Sequence, residues 1–545
     1  MTIVLKQCFS SAAKAARIVS CPDKLVYPSV PMHQFLLSGI EKNLDAVILT
    51  DGLTRQDVTG AQIAGQIGRM ANKFKEMGVG KGDNVAIVGL NHLNYLPAKL
   101  GVVAAGGVPV LFNPLHNNQE MGKLLKISDC NYAIGHMCSS SKLNELKAEH
   151  NLKLLPNLED LDDWCKDEST ICPEYEGHID DTALMMFSSG TTGLPKAVEI
   201  SHKNMNSQLE SINISGKFNE ILQEESVEHA TIVDFLPEFH TYGSLLAQFT
   251  VLNGYQRICL PFFSPELFLQ CLQDYKAPCT TVVPPIMVML SKLDIVPNYD
   301  LSNLRLLVVG AAPLAPETEQ AVLDRLKECN PGINLEITQG YGCTETSGAT
   351  LLCRKNTNKT GSVGAVIAGQ EIKLVNTETG EMCGPHERGE IYIRGPQIMK
   401  GYYKNPAANS ETFEDEWLKT GDIAYYDDDE DFYIVDRLKE FIKVKAYQVA
   451  PAELEAVLLT HDQIVDAAVI GIPSERTGEA PKAYVTLPYG ATLTEEDVKD
   501  FVASQVSEYK RLAEVEFVKN IPKLTSGKIQ RRLLREKHER DSRNK

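Results

Sequence analysis

Phe187-Ser188-Ser189-Gly190-Thr191-Thr192-Gly193-Leu194-Pro195-Lys196 is the stretch on which the reading of this chain turns. Two glycines allow a tight backbone turn, four hydroxyls and successive N–H groups can surround phosphate oxygens, and Lys196 adds positive charge. The composition is that of a phosphate cradle, although a polar surface loop could share it. In the Walker A loop lysine directly follows the second glycine, and the Rossmann loop has the spacing GxGxxG; neither pattern is present.

Outward from this loop, short apolar runs alternate with helical patterns. Val85 to Gly89 and Val108 to Phe112 read as strands, with a helix over Tyr95 to Ala105 between them. The alternation recurs in Ala277 to Val283, Arg305 to Val309 and the helical Glu317 to Cys329, which predicts parallel sheets flanked by helices. From about Glu371 the pattern changes to short strands, including Glu390 to Arg394 and Phe432 to Val435, so a small β-rich subdomain is expected. Five consecutive acids, Asp427 to Asp431, read as a solvated hairpin tip rather than a metal loop. Beyond them Ala452 to Leu459 reads as a helix, Ala467 to Ile472 as a strand, and the basic Lys528 to Arg540 as an exposed terminal helix with i, i+4 charge pairs. The fold class is thus α/β multidomain: an N-terminal domain over 1–435, a hinge at 436–439, and a compact α+β C-terminal domain over 436–545.

With 545 residues, more than one core is expected. Hydrophobic residues at 43% and charged residues at 23% are ordinary for a globular chain. A net charge of -18 excludes a general nucleic-acid binder, which needs a basic surface. Thirteen cysteines without a CxxC pair read as reduced thiols and give no zinc site. The longest apolar stretch, Leu100 to Phe112, is too short to span a bilayer. Lys6, Lys14 and Arg17 precede the first acid, Asp23, a bias shared with transit peptides and with amphipathic leader helices. The tail is not the Ser-Lys-Leu peroxisomal address. A cytoplasmic location is the expectation, with mitochondrial or peroxisomal addresses as alternatives.

Four more motifs follow the loop in order: Tyr341-Gly342-Cys343-Thr344-Glu345, Thr420-Gly421-Asp422, the segment Asp436 to Glu455, and Pro522 to Lys528. Together the five motifs resemble those of the adenylate-forming superfamily, which includes acyl-CoA synthetases, 4-coumarate-CoA ligases and firefly luciferase. The likeness covers most of the chain from about residue 50. It implies an ATP-dependent, AMP-forming ligase that joins a carboxylic acid to CoA through an acyl-adenylate.

The resemblance also implies roles. Ser188, Ser189, Gly190, Thr191, Thr192, Gly193 and Lys196 would hold the phosphates of ATP, and Thr344 would bond the α-phosphate. Glu345 would help hold Mg²⁺, which prefers hard oxygens. Lys528 would bridge the carboxylate and the α-phosphate, neutralising charge that develops in the transition state. Asp422 and Arg437 would bind the ribose; Ala312, Gly340 and the Tyr341 ring would line the adenine site, with Lys439 also on the nucleotide side. His240 would sit between the phosphates and the acyl pocket, of which Tyr242 would be a wall. Phe239-His240-Thr241-Tyr242 resembles the 4-coumarate-CoA ligases and favours an aromatic or medium-chain acid.

For the second half-reaction, rotation about Asp436 would bring up a face carrying Lys443 and Gln448. Here the sequence departs from the family pattern. The glycine usual after Lys-x-Lys is Ala446, and a basic residue often found near position 262 is Phe262. Transfer to a non-CoA acceptor (a carrier thiol, an amine or a hydroxyl) therefore stands beside the CoA reading. Luciferase-like oxidation of the adenylate and a non-catalytic nucleotide sensor are further alternatives.

Overall fold

The computed structural model describes residues 17–166, 172–173, 175, 177–188, 195–224, 230–355, 357–444, 447–474, 477–524 and 527–543. The leader residues Lys6 and Lys14, the loop residues 189–194, and Ala446 lie outside them.

Two large sheets carry most of the chain up to Val366. One has seven strands, in the order Gly401–Tyr402, Lys196–Ser201, Thr182–Ser188, Val108–Phe112, Asn84–Val88, Cys130–Ile134 and Lys153–Leu155. Its last five strands are mutually parallel. Val108–Phe112 is buried at every position, as a parallel strand covered on both faces must be. The second sheet has nine strands, with a parallel run from Glu336–Cys343 through Leu306–Val309, Cys279–Val282, Thr231–Asp234 and Gln256–Cys259 to Val47–Asp51.

The expected parallel strands form the body of both sheets. Both sheets end in antiparallel strands, including Lys196–Ser201 in the first and Gly348–Leu352 and Asp57–Thr59 in the second. Hairpin links require an antiparallel return, and the phosphate-loop motif is itself such a link, because Ser188 pairs with Lys196.

The expected β-rich unit is a six-stranded antiparallel sheet that includes Glu371–Val375, Gly389–Arg394, Trp417–Tyr426 and Phe432–Arg437. Asp427 to Asp431 joins its last two strands but is not merely solvated. Lys359 reaches Asp427, Asp429 and Asp431 at 2.7, 2.9 and 2.9 Å, and Asp431 is buried. A cation is thus already supplied by the chain.

After Arg437 the chain leaves this sheet, and from Ile442 it builds a separate five-stranded one. Helices Pro451–Leu459 and Glu495–Gln505 pack a small core against it, and the terminal helix Arg531–Arg543 covers the strand Asp466–Ser474. Arg532 with Glu536 and Lys537 with Asp541 form the expected i, i+4 pairs. Among the described residues no helix is long and apolar enough to cross a membrane.

Candidate active site

A cleft of about 2230 Å³ runs between the large sheets, the β-rich sheet and the C-terminal unit. Lys528 enters it on a short loop. Lys523 at the start of that loop binds Asp466 at 2.8 Å, and Arg531 just after it grips both oxygens of Glu455 at 2.8 and 2.7 Å. Gly527 has φ +82°, and a Cβ there would stand 3.3 Å from Val283 and 3.4 Å from Pro285. Glycine lets the loop press against the large unit. Burial pushes the Lys528 ammonium down to about 8, with Arg437 acting in the same direction and Asp422, Glu345 and Cys343 opposing. Its surroundings are therefore the groups the sequence singled out.

Opposite Lys528 stands His240, the N-cap residue of helix Thr241–Asn253. Burial, and then the Lys528 charge, lowers its pKa to about 4, so the ring is neutral at pH 7. Thr241 donates from its hydroxyl to that of Thr344 at 3.0 Å, which leaves the Thr344 proton free to point at an anion. The hydroxyl of Ser188, just before residues 189–194, is buried without a partner among the described residues. Lys196 lies over the Tyr402 ring at 4.6 Å, and the same tyrosine donates to Glu345 at 3.0 Å.

Asp422 is held from two sides. It pairs in register with Arg437 on the neighbouring strand, and the guanidinium stands 3.0 Å from one carboxylate oxygen. The Tyr341 hydroxyl donates to the other at 2.7 Å. A carboxylate offers about four lone-pair sites, so ribose hydroxyls can add to these bonds. Ala312, Gly340 and Lys439 line the same cleft.

Lys443 is not part of this assembly. It is exposed, cross-strand from Gln448 in the small sheet, with its backbone N–H on Glu479 at 2.7 Å. Gln448 is exposed at the cleft margin. Residues Ser189 to Gly193 fall outside the described residues, as does Ala446. Phe262 is 49% exposed.

Sequence reading missed Tyr402 and Thr241 as organisers of the site. Tyr402 lies on a two-residue strand paired with Lys196–Ser201, a contact across some two hundred residues that no local pattern signals. Thr241 was hidden as a neighbour of His240.

Glu345 provides a fit test for Mg²⁺. The described residues contain no group of three metal-ligating side chains. A single carboxylate suits an ion that takes its other oxygens from phosphates and water. Such an ion would supply charge neutralisation at the triphosphate.

A sequence model of the family described as AMP-binding enzyme matches residues 39–403, and one described as AMP-binding enzyme C-terminal domain matches 453–528. The chain is 37% identical over 529 residues to 4-coumarate–CoA ligase 1 of Petroselinum crispum, covering 94% of this chain and 95% of that protein. Among solved structures, the anthranilate CoA ligase AuaEII in complex with anthranoyl-AMP is similar with a TM-score of 0.82 at 25% identity, covering 93% of this chain and 97% of that one. The amide bond synthetase McbA of Marinactinospora thermotolerans shares the fold, with a TM-score of 0.79 at 24% identity over 93% of this chain and 99% of that one.

Proposed function

The chain belongs to the AMP-binding enzyme family, and on that premise we propose that it is an AMP-forming acid–CoA ligase acting on an aromatic or medium-chain carboxylic acid. The observation that carries the proposal is the insertion of Lys528 among Arg437, Asp422, Glu345 and His240. A carboxylate attacking the α-phosphorus of ATP must overcome charge repulsion, and cations fixed in a dry cleft lower that barrier most. Lys528 bridges the attacking oxygen and the α-phosphate, Thr344 donates to the phosphate, and Asp422 with Arg437 fixes the ribose. Neutral His240 separates phosphates from acyl group without adding a charge. Acyl-AMP and pyrophosphate result.

We further assign 1–435 and 436–545 as the two units and 436–439 as the hinge. The passage from one sheet to another between Arg437 and Ile442 supports that boundary. Asp436 is buried and accepts from the backbone N–H of Ala452 at 3.1 Å, a tie that rotation must break or carry along. Turning the small unit withdraws Lys528 and presents Lys443 and Gln448 to a CoA thiolate, which displaces AMP.

The test is acid-dependent exchange of labelled pyrophosphate into ATP, followed by mass identification of the product formed with CoA. No exchange with any member of a broad acid panel would overturn adenylation. A second reading, transfer to a carrier thiol, amine or hydroxyl, draws on the exposed phenyl ring of Phe262. Steady AMP release without acyl-CoA would favour it.

A further inference from the structure

We propose that the acid activated here is an unbranched aliphatic one of about eight to ten carbons, its tail lying along one face of helix Thr241–Asn253, and not a ring-hydroxylated cinnamic acid. The inference rests on the adenylation reading and narrows it. Tyr242, Leu245, Leu246 and Phe249 line the cleft from that helix at i, i+3, i+4 and i+7, so they form a single stripe. The stripe leads away from His240, the point at which the carboxylate must meet the phosphate. From Tyr242 to Phe249 it is about 10 Å long at 1.5 Å per residue, the length of roughly eight carbon–carbon bonds in an extended chain.

The facing wall is equally apolar. Val308 and Leu352 line it beside Gly310 and Gly340, and Ile212 and Phe218 stand at the far end, where the Phe218 and Phe249 rings lie 5.6 Å apart. None of these residues carries a charge. The only polar group on the stripe, the Tyr242 hydroxyl, is already spent on the Val308 carbonyl at 3.0 Å. Its ring packs directly on the Gly310 backbone, where a Cβ would stand 2.8 Å from it. Thr281, in register with Val308 and also lining the cleft, carries a hydroxyl without a partner among the described residues, but it stands on the strand wall beside Tyr242 and not along the helix stripe.

A phenol placed along this stripe would give up its bonds to water and find, among the described lining residues of the stripe and its facing wall, no free group but the Thr281 hydroxyl in return. A methylene would gain by leaving water. The lining therefore discriminates against the hydroxyl that gives 4-coumarate its name, in spite of the chain's likeness to enzymes so named.

The experiment is kcat/KM for acid-dependent pyrophosphate exchange, measured on the full chain with the linear acids from butanoate to dodecanoate and with cinnamate and 4-coumarate. The expected result is a rise of about fourfold per methylene up to eight to ten carbons. Activity on 4-coumarate should fall about tenfold or more below that on cinnamate. A flat length series, or 4-coumarate preferred over cinnamate, overturns the proposal while leaving adenylation standing. Silence with every acid overturns adenylation itself. Leu246→Phe, which narrows the tunnel one turn in from Tyr242, should reduce kcat/KM for decanoate tenfold or more relative to butanoate; an equal change for both acids counts against the tunnel.

Discussion

Lys292 donates to the backbone carbonyl of Ile464 at 2.8 Å, tying the end of helix Pro284–Lys292 in the large unit to the C-terminal unit that carries Lys528. Desolvation lowers the pKa of the Lys292 ammonium, and Asp462 opposes the shift. The bond belongs to the arrangement in which Lys528 occupies the cleft, so it should favour adenylation over the rotation proposed above. Lys292→Met should lower the rate of pyrophosphate exchange about threefold to tenfold, in line with loss of one charge-assisted bond. Thioester formation from supplied acyl-AMP should be unchanged or faster. Equal losses in both half-reactions would show that Lys292 does not bias the orientation.

Lys528→Ala should slow exchange by about a hundredfold or more, as for loss of a cation that acts in the transition state, while sparing thiolysis of supplied acyl-AMP. The wild-type pH profile adds a second check. With its pKa lowered to about 8 by burial and Arg437, Lys528 is a cation below that pH and neutral above it. Hence kcat/KM for exchange, which reports the free enzyme, should fall as pH rises through about 8. Arginine stays charged at any accessible pH, so Lys528→Arg should abolish this falling limb whatever its absolute rate. Persistence of the limb at the same midpoint would assign it to another group.

Arg257 is buried between Asp234 and Glu238, with both contacts at 2.8 Å, and all three side chains are essentially inaccessible. Nearby Lys99, pushed down to about 8 by burial, donates to Ser244 at 2.9 Å on the helix that follows His240. Glu238 lies two residues before His240, so this set of charges holds the segment that presents the histidine. Arg257→Met would strand buried carboxylates and should cost about 3–5 kcal/mol, read from denaturant unfolding. Adding Asp234→Asn and Glu238→Gln should recover part of that loss. No recovery in the triple variant would mean that packing, not charge, is lost.

His33 is buried, neither ring nitrogen has a partner among the described residues, and burial lowers its pKa to about 4. The folded protein therefore holds a neutral ring while the unfolded chain, with an ordinary value near 6.5, takes up a proton first as pH falls. Its stabilising contribution is complete above about pH 6.5 and is lost as pH drops through about 4, about 3 kcal/mol in all. His33→Phe keeps an aromatic ring against Tyr175, 5.5 Å away, and removes the titration. The melting temperature of the variant should fall less steeply than wild type between pH 6.5 and 4.5. Parallel curves would show that His33 does not drive acid unfolding.

Several elements were legible because their signals are local. Val108–Phe112 appears in the structure with the bounds its apolar run implied, and the expected helix over 317–329 is observed as Pro316–Cys329. Cys279–Val282 is shorter than the apolar run around it, since pairing with two neighbours ends before the run does. The five motifs could be found individually for the same reason. Tyr402 could not, because its value lies in touching Glu345 and Lys196, which are distant in sequence.

By itself the sequence determined the parallel α/β architecture, the family's ordered motifs and the set of cations and carboxylates available for adenylation, because hydrophobic period and motif spacing are written along the chain. Only the tertiary structure decided that Lys528 stands beside His240 and away from Lys443, that Lys292 ties the two units, and that the wall beyond Tyr242 is apolar. Those relations depend on how separate segments pack. The tunnel wall combines a helix face with strands far from it in sequence, and the Tyr242 hydroxyl loses its availability only by meeting the Val308 carbonyl across that gap.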